Sequence, residues 1–475
     1  MFTLNEIICA VTGEKTKFAE LEFTAAVIDS RQSEDGTLFI AVPGERTDGH
    51  KFVSSAFAKG ARAALIQEDL EGDYDFIDLR EKNGIDRSEL ISGKKPLCIR
   101  VDNSIDALQK IAAFHRTRLS EMRVTGITGT VGKTSTKELI YDVLSVHYHT
   151  LKTLGNMNNE IGLPLTLLRA DKDTELAILE MGFYVPGEID QLCRIALPSV
   201  GVVTNVGMVH ASRAGSMEVI ARGKSELIQS LPENGTAILN YDDTFVRPMA
   251  ELSKARVLFY GLDPEAELSA CNIRSNGLDG VYFDLCYQQK KNPVHLPLIG
   301  RHSVMTALRA AAVGLVYDLS MDEIISGLEN SRNQLRMRLT HTFADGVLID
   351  DTYNASPEST SAALDLLSEI SGRKIAVLGE MRELGQYEQK GHGMVGKKAA
   401  SVCDELIAVG AVTKYMVDSA ISEGMDSNHV HWFASNDEAA DYLLDRGMEK
   451  NDVVLIKGSR GMVMETIVEK LEKKE

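Results

Sequence analysis

The chain has 475 residues, of which 44% are hydrophobic and 25% are charged, as in ordinary globular proteins. One hydrophobic core rarely serves more than about 300 residues, so this length predicts two or three domains. The net charge of -18 disfavours nucleic-acid and membrane partners, since no long Lys or Arg run offsets it. The first residues do not resemble a signal peptide, and no apolar run approaches the roughly 18 residues that span a bilayer. We therefore expect a cytoplasmic protein.

The six cysteines are scattered along the chain and form no Cys-x-x-Cys pair. In a reducing compartment this pattern predicts buried free thiols rather than disulfides or zinc ligands. The residues are Cys9, Cys98, Cys193, Cys271, Cys286 and Cys403.

The first hundred residues contain short apolar runs that predict strands at 25–28, 37–42 and 63–66. The polar, acidic stretch 68–95 is interpreted as a surface excursion within this domain, the alternative being a mobile segment. A helix is predicted over 103–119, where apolar residues have helical spacing and Asn103 or Ser104 can cap the first turn. The first domain boundary is placed just before this helix.

From Arg123 onward, predicted strands and helices alternate, which indicates a mostly parallel sheet flanked by helices. The strands are 124–128, 176–180 and 200–205, and the helices are 133–146 and 301–315, the last closing this region. A third block begins near Leu335, with short apolar strands at 347–349, 374–378, 405–409 and 453–456. The predicted fold is α/β with three domains: a small α/β domain over 1–102, a central domain like that of P-loop ATPases over 103–333, and a Rossmann-like domain over 334–475.

The segment 126–134, Gly-Ile-Thr-Gly-Thr-Val-Gly-Lys-Thr, follows a predicted strand and opens a predicted helix. In such a loop the backbone amides face a phosphate, Lys133 reaches the β- and γ-phosphates, and the Thr134 hydroxyl can hold Mg²⁺. The generic Walker A pattern requires glycine where Ile127 stands, so the strict pattern fails. The alternative is a glycine-rich turn, but the strand–loop–helix context favours ATP.

Four further places in the sequence are candidates for chemistry. Glu180 ends an apolar strand, where a carboxylate suits Mg²⁺ but could instead cap a helix. His210 follows another apolar strand, and spacing alone favours a polar loop residue. Lys224 lies in a helix whose sequence favours a solvated face. Asp350 and Asp351 end a strand in the third block, where either a nucleotide contact or a turn is compatible with the pattern.

Taken together, these motifs resemble the Mur ligases, a family that forms amide bonds with ATP. The resemblance rests on Asp29-Ser30-Arg31, Asp48-Gly49-His50, the loop at 129–134, the run from Gly155 to Thr166, Glu180-Met181-Gly182, Asn205 to His210, Asp351 to Ala355, and Glu383-Leu384-Gly385. The Asn-Asn-Glu-Ile-Gly and Tyr-Asn-Ala stretches are typical of the branch that adds D-alanyl-D-alanine to a UDP-N-acetylmuramoyl tripeptide. The Asp-Asn-Pro-Arg signature of the diaminopimelate-adding branch is absent.

The resemblance implies a reaction in which the substrate carboxylate attacks the γ-phosphate of ATP, and an amine then attacks the acyl phosphate. It implies two Mg²⁺ ions, one held by Thr134 and Glu180, the other by His210 and a carbamylated Lys224. Lys133, Lys224 and His210 are the implied catalytic residues. The implied ATP-binding residues are Gly129, Thr130, Val131, Gly132, Lys133, Thr134, Ser135, Arg336, Asp351 and Tyr353.

The resemblance also implies roles for other residues, on less specific motifs. Asp29, Ser30 and Arg31 resemble the uridine-diphosphate contact region, and Asn158 and Asn159 resemble residues that face substrate or metal. The segment from Lys457 to Arg460 could meet an anion or form a surface turn. The family's adenine-reading asparagine is replaced by Ser303, and Thr306 stands where a second asparagine is common. The usual Gly-Asp-Met is Gly379-Glu380-Met381.

Two alternatives stay open at this point. One is another amide ligase of the superfamily, such as a folylpolyglutamate-type enzyme, although the Asp29-Ser30-Arg31 region argues against it. The other is a P-loop ATPase that drives a conformational switch. In the main interpretation the partners are small-molecule substrates, and the protein is expected to be a monomer.

Overall fold

The computed structural model describes residues 1–16, 21–44, 47–80, 95–209, 211–331 and 337–473. Two predicted site residues, His210 and Arg336, lie outside the described residues. The predicted boundary between 333 and 334 also lies outside them. Neither boundary is tested by the structure, and both stay predictions.

The first part of the chain folds into a five-stranded parallel sheet with the order β3-β4-β5-β7-β6, preceded by a small antiparallel pair, β1-β2. The elements are β1 (Phe2–Thr3), α1 (Leu4–Thr12), β2 (Glu22–Phe23), β3 (Ala25–Val27), β4 (Thr37–Ile40), α2 (Val53–Ala58), β5 (Ala63–Ile66), β6 (Asp75–Asp78) and β7 (Leu97–Arg100). All four residues of β4 and of β5 are buried, which explains their predominantly apolar sequences. The three predicted strands are confirmed.

Strand β6 corrects the prediction for the stretch 68–95. Its residues alternate between buried and half-buried, and it pairs in parallel with β7 at the sheet edge. This short edge strand begins and ends with an aspartate, so its apolar signal is weak and composition alone suggested a surface excursion. Residues 81–94 of the same stretch lie outside the described part of the chain.

The central part forms a nine-stranded sheet with the order β16-β15-β14-β13-β12-β11-β8-β10-β9. Its strands are β8 (Arg123–Thr128), β9 (Thr150–Lys152), β10 (Leu176–Glu180), β11 (Val200–Val203), β12 (Thr236–Asn240), β13 (Arg256–Gly261), β14 (Leu268–Ser275), β15 (Val281–Tyr287) and β16 (Lys290–Leu296). The pairs from β9 to β14 are parallel, whereas β14, β15 and β16 are antiparallel. The predicted mostly parallel sheet is therefore confirmed, with an antiparallel extension at one edge.

The helices of this part are α3 (Ser104–Arg118), α4 (Lys133–Leu144), α5 (Gly162–Leu167), α6 (Glu188–Ala196), α7 (Ala211–Ala214), α8 (Met217–Gln229), α9 (Ser303–Val316) and α10 (Met321–Glu329). The predicted cap of α3 is Asn103, whose Oδ1 accepts hydrogen bonds from the amides of Ile105 and Asp106, each at 2.9 Å. The prediction that α9 is the last helix of this region is wrong. The capped helix α10 follows it and packs against α4.

The last part is a six-stranded sheet with the order β17-β18-β22-β19-β20-β21, parallel except for the β17–β18 pair. The elements are β17 (Arg338–His341), β18 (Val347–Asp351), α11 (Pro357–Glu369), β19 (Arg373–Gly379), α12 (Glu388–Val402), β20 (Glu405–Val409), α13 (Lys414–Ser422), β21 (Val430–Phe433), α14 (Asn436–Asp445), β22 (Asp452–Lys457) and α15 (Glu465–Leu471). The predicted Rossmann-like arrangement is confirmed, and separate apolar clusters cover the two faces of the sheet.

The cysteines form no disulfide, as predicted, but the prediction that all are buried is wrong for four of them. Cys98 and Cys193 are buried, and the other four are partly exposed. Among the described residues, no helix is long and apolar enough to cross a membrane.

Candidate active site

The phosphate loop lies at the centre of the nine-stranded sheet, between the end of β8 and the start of α4. Strand β8 lies between β11 and β10 in the sheet. The strand order reverses at this point, and ligands of open α/β sheets bind at such a position. Gly129 has φ of +143°, and a Cβ there would lie 1.8 Å from Thr204 Oγ1. Only glycine can therefore hold this position.

The end of β11 holds the loop in place through side-chain hydrogen bonds. Thr204 Oγ1 donates to the carbonyl of Val131 at 2.7 Å, and Asn205 Oδ1 accepts from the amide of Val131 at 2.9 Å. Thr130 Oγ1 accepts from the amide of Gly207 at 2.8 Å. The loop is thus preorganised by a neighbouring strand rather than by its own sequence alone.

The Lys133 ammonium folds back over the loop that it follows. Its Nζ donates to the carbonyls of Gly129 at 2.8 Å and Thr130 at 3.2 Å. An ammonium in this position lies over the hollow where loop amides bind phosphate oxygens. Lys133 is therefore placed to neutralise charge on a bound triphosphate.

Thr134 and Glu180 come together at the ends of neighbouring elements. Thr134 Oγ1 donates to Glu180 Oε2 at 2.7 Å, and Asn158 Nδ2 donates to Glu180 Oε1 at 2.9 Å. Glu180 has 1% of its surface exposed. A buried carboxylate and a hydroxyl are hard oxygen ligands at a phosphate site, so this pair fits Mg²⁺.

Lys224 is buried beside the same site, with 1% of its surface exposed. Its Nζ lies 4.9 Å from the centroid of the Phe183 ring, and among the described residues it forms no ion pair with a carboxylate. Burial, and next the positive charge of Lys133, hold the pKa of the Lys224 amine well below its ordinary value. The interpretation of Lys224 as part of a solvated helix face is wrong, because α8 turns this side chain inward.

A cavity of about 400 Å³ opens in front of the phosphate loop, between the central sheet and the last sheet. Eight of the ten predicted ATP-binding residues line it: Thr130, Val131, Gly132, Lys133, Thr134, Ser135, Asp351 and Tyr353. Gly129 is not among its lining residues, since it packs against Thr204 behind the loop. Arg336 lies outside the described residues.

Lys457 also lines the cavity, and it is buried rather than part of a surface turn. Its Nζ donates to Asp351 Oδ2 at 2.6 Å and to the carbonyl of Asn354 at 2.8 Å. The parallel pairing of β18 with β22 sets Asp351 opposite Lys457. The sequence could not reveal this ion pair, because more than a hundred residues separate the two side chains.

A smaller slot adjoins the main cavity and shares Ser135, His302, Thr306 and Met337 with it. Its other lining residues are Leu278, Pro297, Leu298, Ile299 and Ser303. The Ser303 hydroxyl donates to the carbonyl of Ile299 at 2.6 Å, and Thr306 Oγ1 accepts from Arg309 Nη2 at 3.0 Å. Both residues that stand in place of asparagine are therefore engaged within the protein.

The remaining predicted residues lie elsewhere. Asp29, Ser30 and Arg31 are in the first sheet's region and do not line the cavity. Arg31 Nη2 lies 2.7 Å from Asp29 Oδ2, and hydrogen bonds from Arg31 lower the pKa of Asp29 to about 2. Asn159 Oδ1 accepts from the amide of Gly162 at 2.9 Å, so this side chain shapes the turn that leads into α5.

Comparison with known proteins places this geometry in a family. The model of the Mur ligase family catalytic domain matches residues 22–116, that of the Mur ligase middle domain matches 127–314, and that of the Mur ligase glutamate ligase domain matches 335–460. The UDP-N-acetylmuramoyl-tripeptide–D-alanyl-D-alanine ligase of Bacillus subtilis is 34% identical over 93% of this chain and 92% of its own length. The chain belongs to the Mur ligase family. It is an ATP-dependent ligase.

Solved structures of relatives have the same three-part architecture as this Mur ligase. The MurF structure from Acinetobacter baumannii has a TM-score of 0.82 at 29% identity and covers 99% of this chain and 98% of its own. The MurF ligase of Thermotoga maritima in complex with ADP has a TM-score of 0.78 at 28% identity. The match covers 95% of this chain and 97% of that structure's chain.

Proposed function

We propose that this ligase joins D-alanyl-D-alanine to UDP-N-acetylmuramoyl tripeptide in peptidoglycan precursor synthesis, converting ATP to ADP and phosphate. The observation that carries the proposal is the cluster of Lys133, Thr134 and Glu180 at the nucleotide cavity, with the buried Lys224 within electrostatic reach of Lys133. The names of its full-length relatives supply the substrates.

The chemistry has two steps. A carboxylate oxygen of the tripeptide forms a bond to the γ-phosphorus of ATP as the bond to the ADP oxygen breaks. The amine of the dipeptide then attacks the carbonyl carbon of the acyl phosphate. The tetrahedral intermediate expels phosphate, and the nitrogen loses a proton to give the amide.

Lys133 supports the first step because its ammonium neutralises charge that develops on the transferred phosphoryl group. Thr134 and Glu180 would hold one Mg²⁺, and Asn158 fixes the Glu180 carboxylate. When bound, this ion supplies positive charge to the β- and γ-phosphates. His210 and Lys224 are proposed to hold a second Mg²⁺.

Lys224 can ligate a cation only if it loses its own positive charge and gains an oxygen. Burial lowers the pKa of the Lys224 amine, which favours its neutral, nucleophilic form. Its nitrogen can add to the carbon of CO₂ and lose one proton, which leaves an N-carboxylate. We propose that carbamylated Lys224 is the working form, because a carbamate has the charge and the ligand atoms that Mg²⁺ requires.

The remaining contacts are assigned on the same basis. Asp29, Ser30 and Arg31 would bind the uridine diphosphate, and Asn159 would face the peptide. Asp351 and Tyr353 would hold the nucleotide from the last domain, together with Arg336. The proposed domains are 1–102, 103–333 and 334–475, in a monomer that works in the cytoplasm.

Phosphate release tests the proposal against a P-loop ATPase switch. The ligase should release phosphate appreciably only when ATP, UDP-N-acetylmuramoyl tripeptide and D-alanyl-D-alanine are all present. Mass spectrometry should then find the UDP-pentapeptide in equal amount to the phosphate. Rapid ATP turnover without either substrate would favour the switch and contradict the ligase.

A second comparison tests the substrates. The tripeptides with lysine and with diaminopimelate should be assayed beside a folate acceptor with glutamate. If the enzyme joins glutamate to the folate acceptor and gives no product from either tripeptide, the proposed muramoyl-tripeptide substrate is wrong. The result would favour a folylpolyglutamate-type ligase.

A further inference from the structure

Arg309 is a buried cation at the back of the nucleotide cavity. It lies on α9 within the apolar run Ala307-Leu308-Arg309-Ala310-Ala311, and 4% of its surface is exposed. An arginine in the middle of an apolar helical stripe is rarely buried without a partner. Its charge therefore requires an explanation from its contacts.

The guanidinium lies against the phosphate loop. A Cβ on Gly132 would be 3.4 Å from Arg309 Nη2 and 3.6 Å from Nη1, so the guanidinium lies close to the residue that precedes Lys133. Arg309 also lines the cavity that the phosphate-loop residues line. The side chain reaches back toward the start of α9, as long helical side chains do, and this brings its charge to the loop.

The contacts within the protein do not compensate this charge. Nη2 donates to Thr306 Oγ1 at 3.0 Å, and the guanidinium carbon lies 5.8 Å from the centroid of the Tyr260 ring. Nε is buried and has no hydrogen-bond partner. Within the described ranges no carboxylate forms an ion pair with Arg309.

A second buried arginine shows what a purely structural role looks like in this chain. Arg116, on α3, is 8% exposed. Its Nε donates to the carbonyl of Ala196 at 2.9 Å, and its Nη1 donates to the carbonyl of Leu119 at 2.7 Å. Backbone carbonyls thus satisfy Arg116, whereas the corresponding Nε of Arg309 is left unsatisfied.

We infer that Arg309 binds the triphosphate of ATP through charge-assisted hydrogen bonds to phosphate oxygens, as a second cation beside Lys133. Burying a charge without a counter-charge or a full set of hydrogen bonds destabilises a folded protein, and a bound anion would relieve this cost at Arg309. A polyphosphate at the loop is such an anion, and the planar guanidinium suits phosphate oxygens. This inference rests on the nucleotide site of the proposed function and adds a residue to it.

The inference is tested with Arg309→Met, which keeps the length and apolar bulk of the side chain but removes its charge. By isothermal titration calorimetry, the Kd values for ATP and ADP should rise at least tenfold. The thermal midpoint of the nucleotide-free protein should stay the same or rise, because an uncompensated buried charge is gone. The stabilisation that ATP gives should shrink accordingly.

Arg116→Met is the matched control. It should lower the thermal midpoint without nucleotide, since two carbonyls lose their donors, while its Kd for ATP stays within twofold of that of the original chain. If Arg309→Met likewise lowers the thermal midpoint and leaves the Kd for ATP within twofold, Arg309 is structural and the inference is overturned. If Arg309→Met does not fold, Arg309→Lys decides: a three- to tenfold rise in the Kd for ATP supports the inference, and an unchanged Kd overturns it.

The outcome is separable from the proposed function. If the unsubstituted protein binds ATP and makes the UDP-pentapeptide while Arg309→Met retains its nucleotide affinity, only the role of Arg309 fails. If the unsubstituted protein binds ATP but makes no UDP-pentapeptide, the proposed substrates are wrong. The effect of Arg309→Met on ATP binding still decides the inference about Arg309.

Discussion

At the scale of single residues, the site is governed by charges that are removed from water. Glu180 and Lys224 are each 1% exposed, and neither would be stable there as an isolated ion. Glu180 accepts hydrogen bonds from Thr134 and Asn158, whereas Lys224 meets an aromatic ring and the repulsion of Lys133. Burial and the charge of Lys133 therefore disfavour the ammonium form of Lys224.

The carbamate proposal gives a specific expectation for Lys224→Ala. Ligation should fall by at least a hundredfold, because the proposed oxygen ligand is lost. Formate or acetate should restore part of the rate by supplying a carboxylate in the vacated space. The rate of UDP-pentapeptide formation, measured against the concentration of added acid, checks this.

Two comparisons complete that experiment. Lys254→Ala, at an exposed position of the same domain, should keep its activity and should not respond to formate. Lys224→Arg keeps a positive charge but cannot form the carbamate, so it should be inactive. Full activity of Lys224→Ala, or equal stimulation of Lys254→Ala by formate, would contradict the carbamate.

At the scale of elements, the phosphate loop follows the end of β8 and is held by hydrogen bonds from residues at the end of β11. Its position was predictable, since a strand, a glycine-rich loop and a helix follow one another within the segment 124–146. Its anchoring was not, because Thr204 and Asn205 directly follow β11, more than seventy residues later in the chain. The two edge strands of the last sheet also escaped prediction: β17 and β21 contain no fully buried residue.

Gly129→Ala tests this anchoring. The added Cβ would overlap Thr204 Oγ1, and the backbone at φ of +143° disfavours any side chain, so the loop must shift. We expect the Kd for ATP to rise at least a hundredfold, as measured by calorimetry. Gly187→Ala is the control: it has φ of +98° but nothing within 4 Å of the added Cβ, so it should leave ATP affinity unchanged. Equal losses in both variants would show that general backbone strain, and not the Thr204 contact, is responsible.

At the scale of the whole molecule, the nucleotide cavity is assembled from two domains. The loop residues come from the central sheet, and Asp351, Tyr353 and Lys457 come from the last one. A hydrogen bond joins the two sides, since Glu358 Oε1 accepts from the amide of Met208 at 3.1 Å. Nucleotide contacts divided in this way imply that binding draws the domains together.

Small-angle scattering can measure this closure. The radius of gyration should decrease when a non-hydrolysable ATP analogue and UDP-N-acetylmuramoyl tripeptide are added together. Glu358→Gln weakens the link to the central domain and should enlarge the nucleotide-free protein, while its ligand-bound form stays compact. Scattering curves that do not change with either ligand would contradict closure.

The sequence alone determined those features that depend on neighbours along the chain. Local apolar runs defined the strands that lead into Gly129 and Glu180, and Glu180 was recognised because it ends such a run. A local signal for Lys224 also existed: it lies four residues after Ile220 and three before Leu227, both buried, on the inward stripe of α8. Only the tertiary structure decided which distant side chains meet. The pairing of Asp351 with Lys457 and the position of Arg309 at the loop arise from strand order and helix packing, which bring together residues that no sequence period connects.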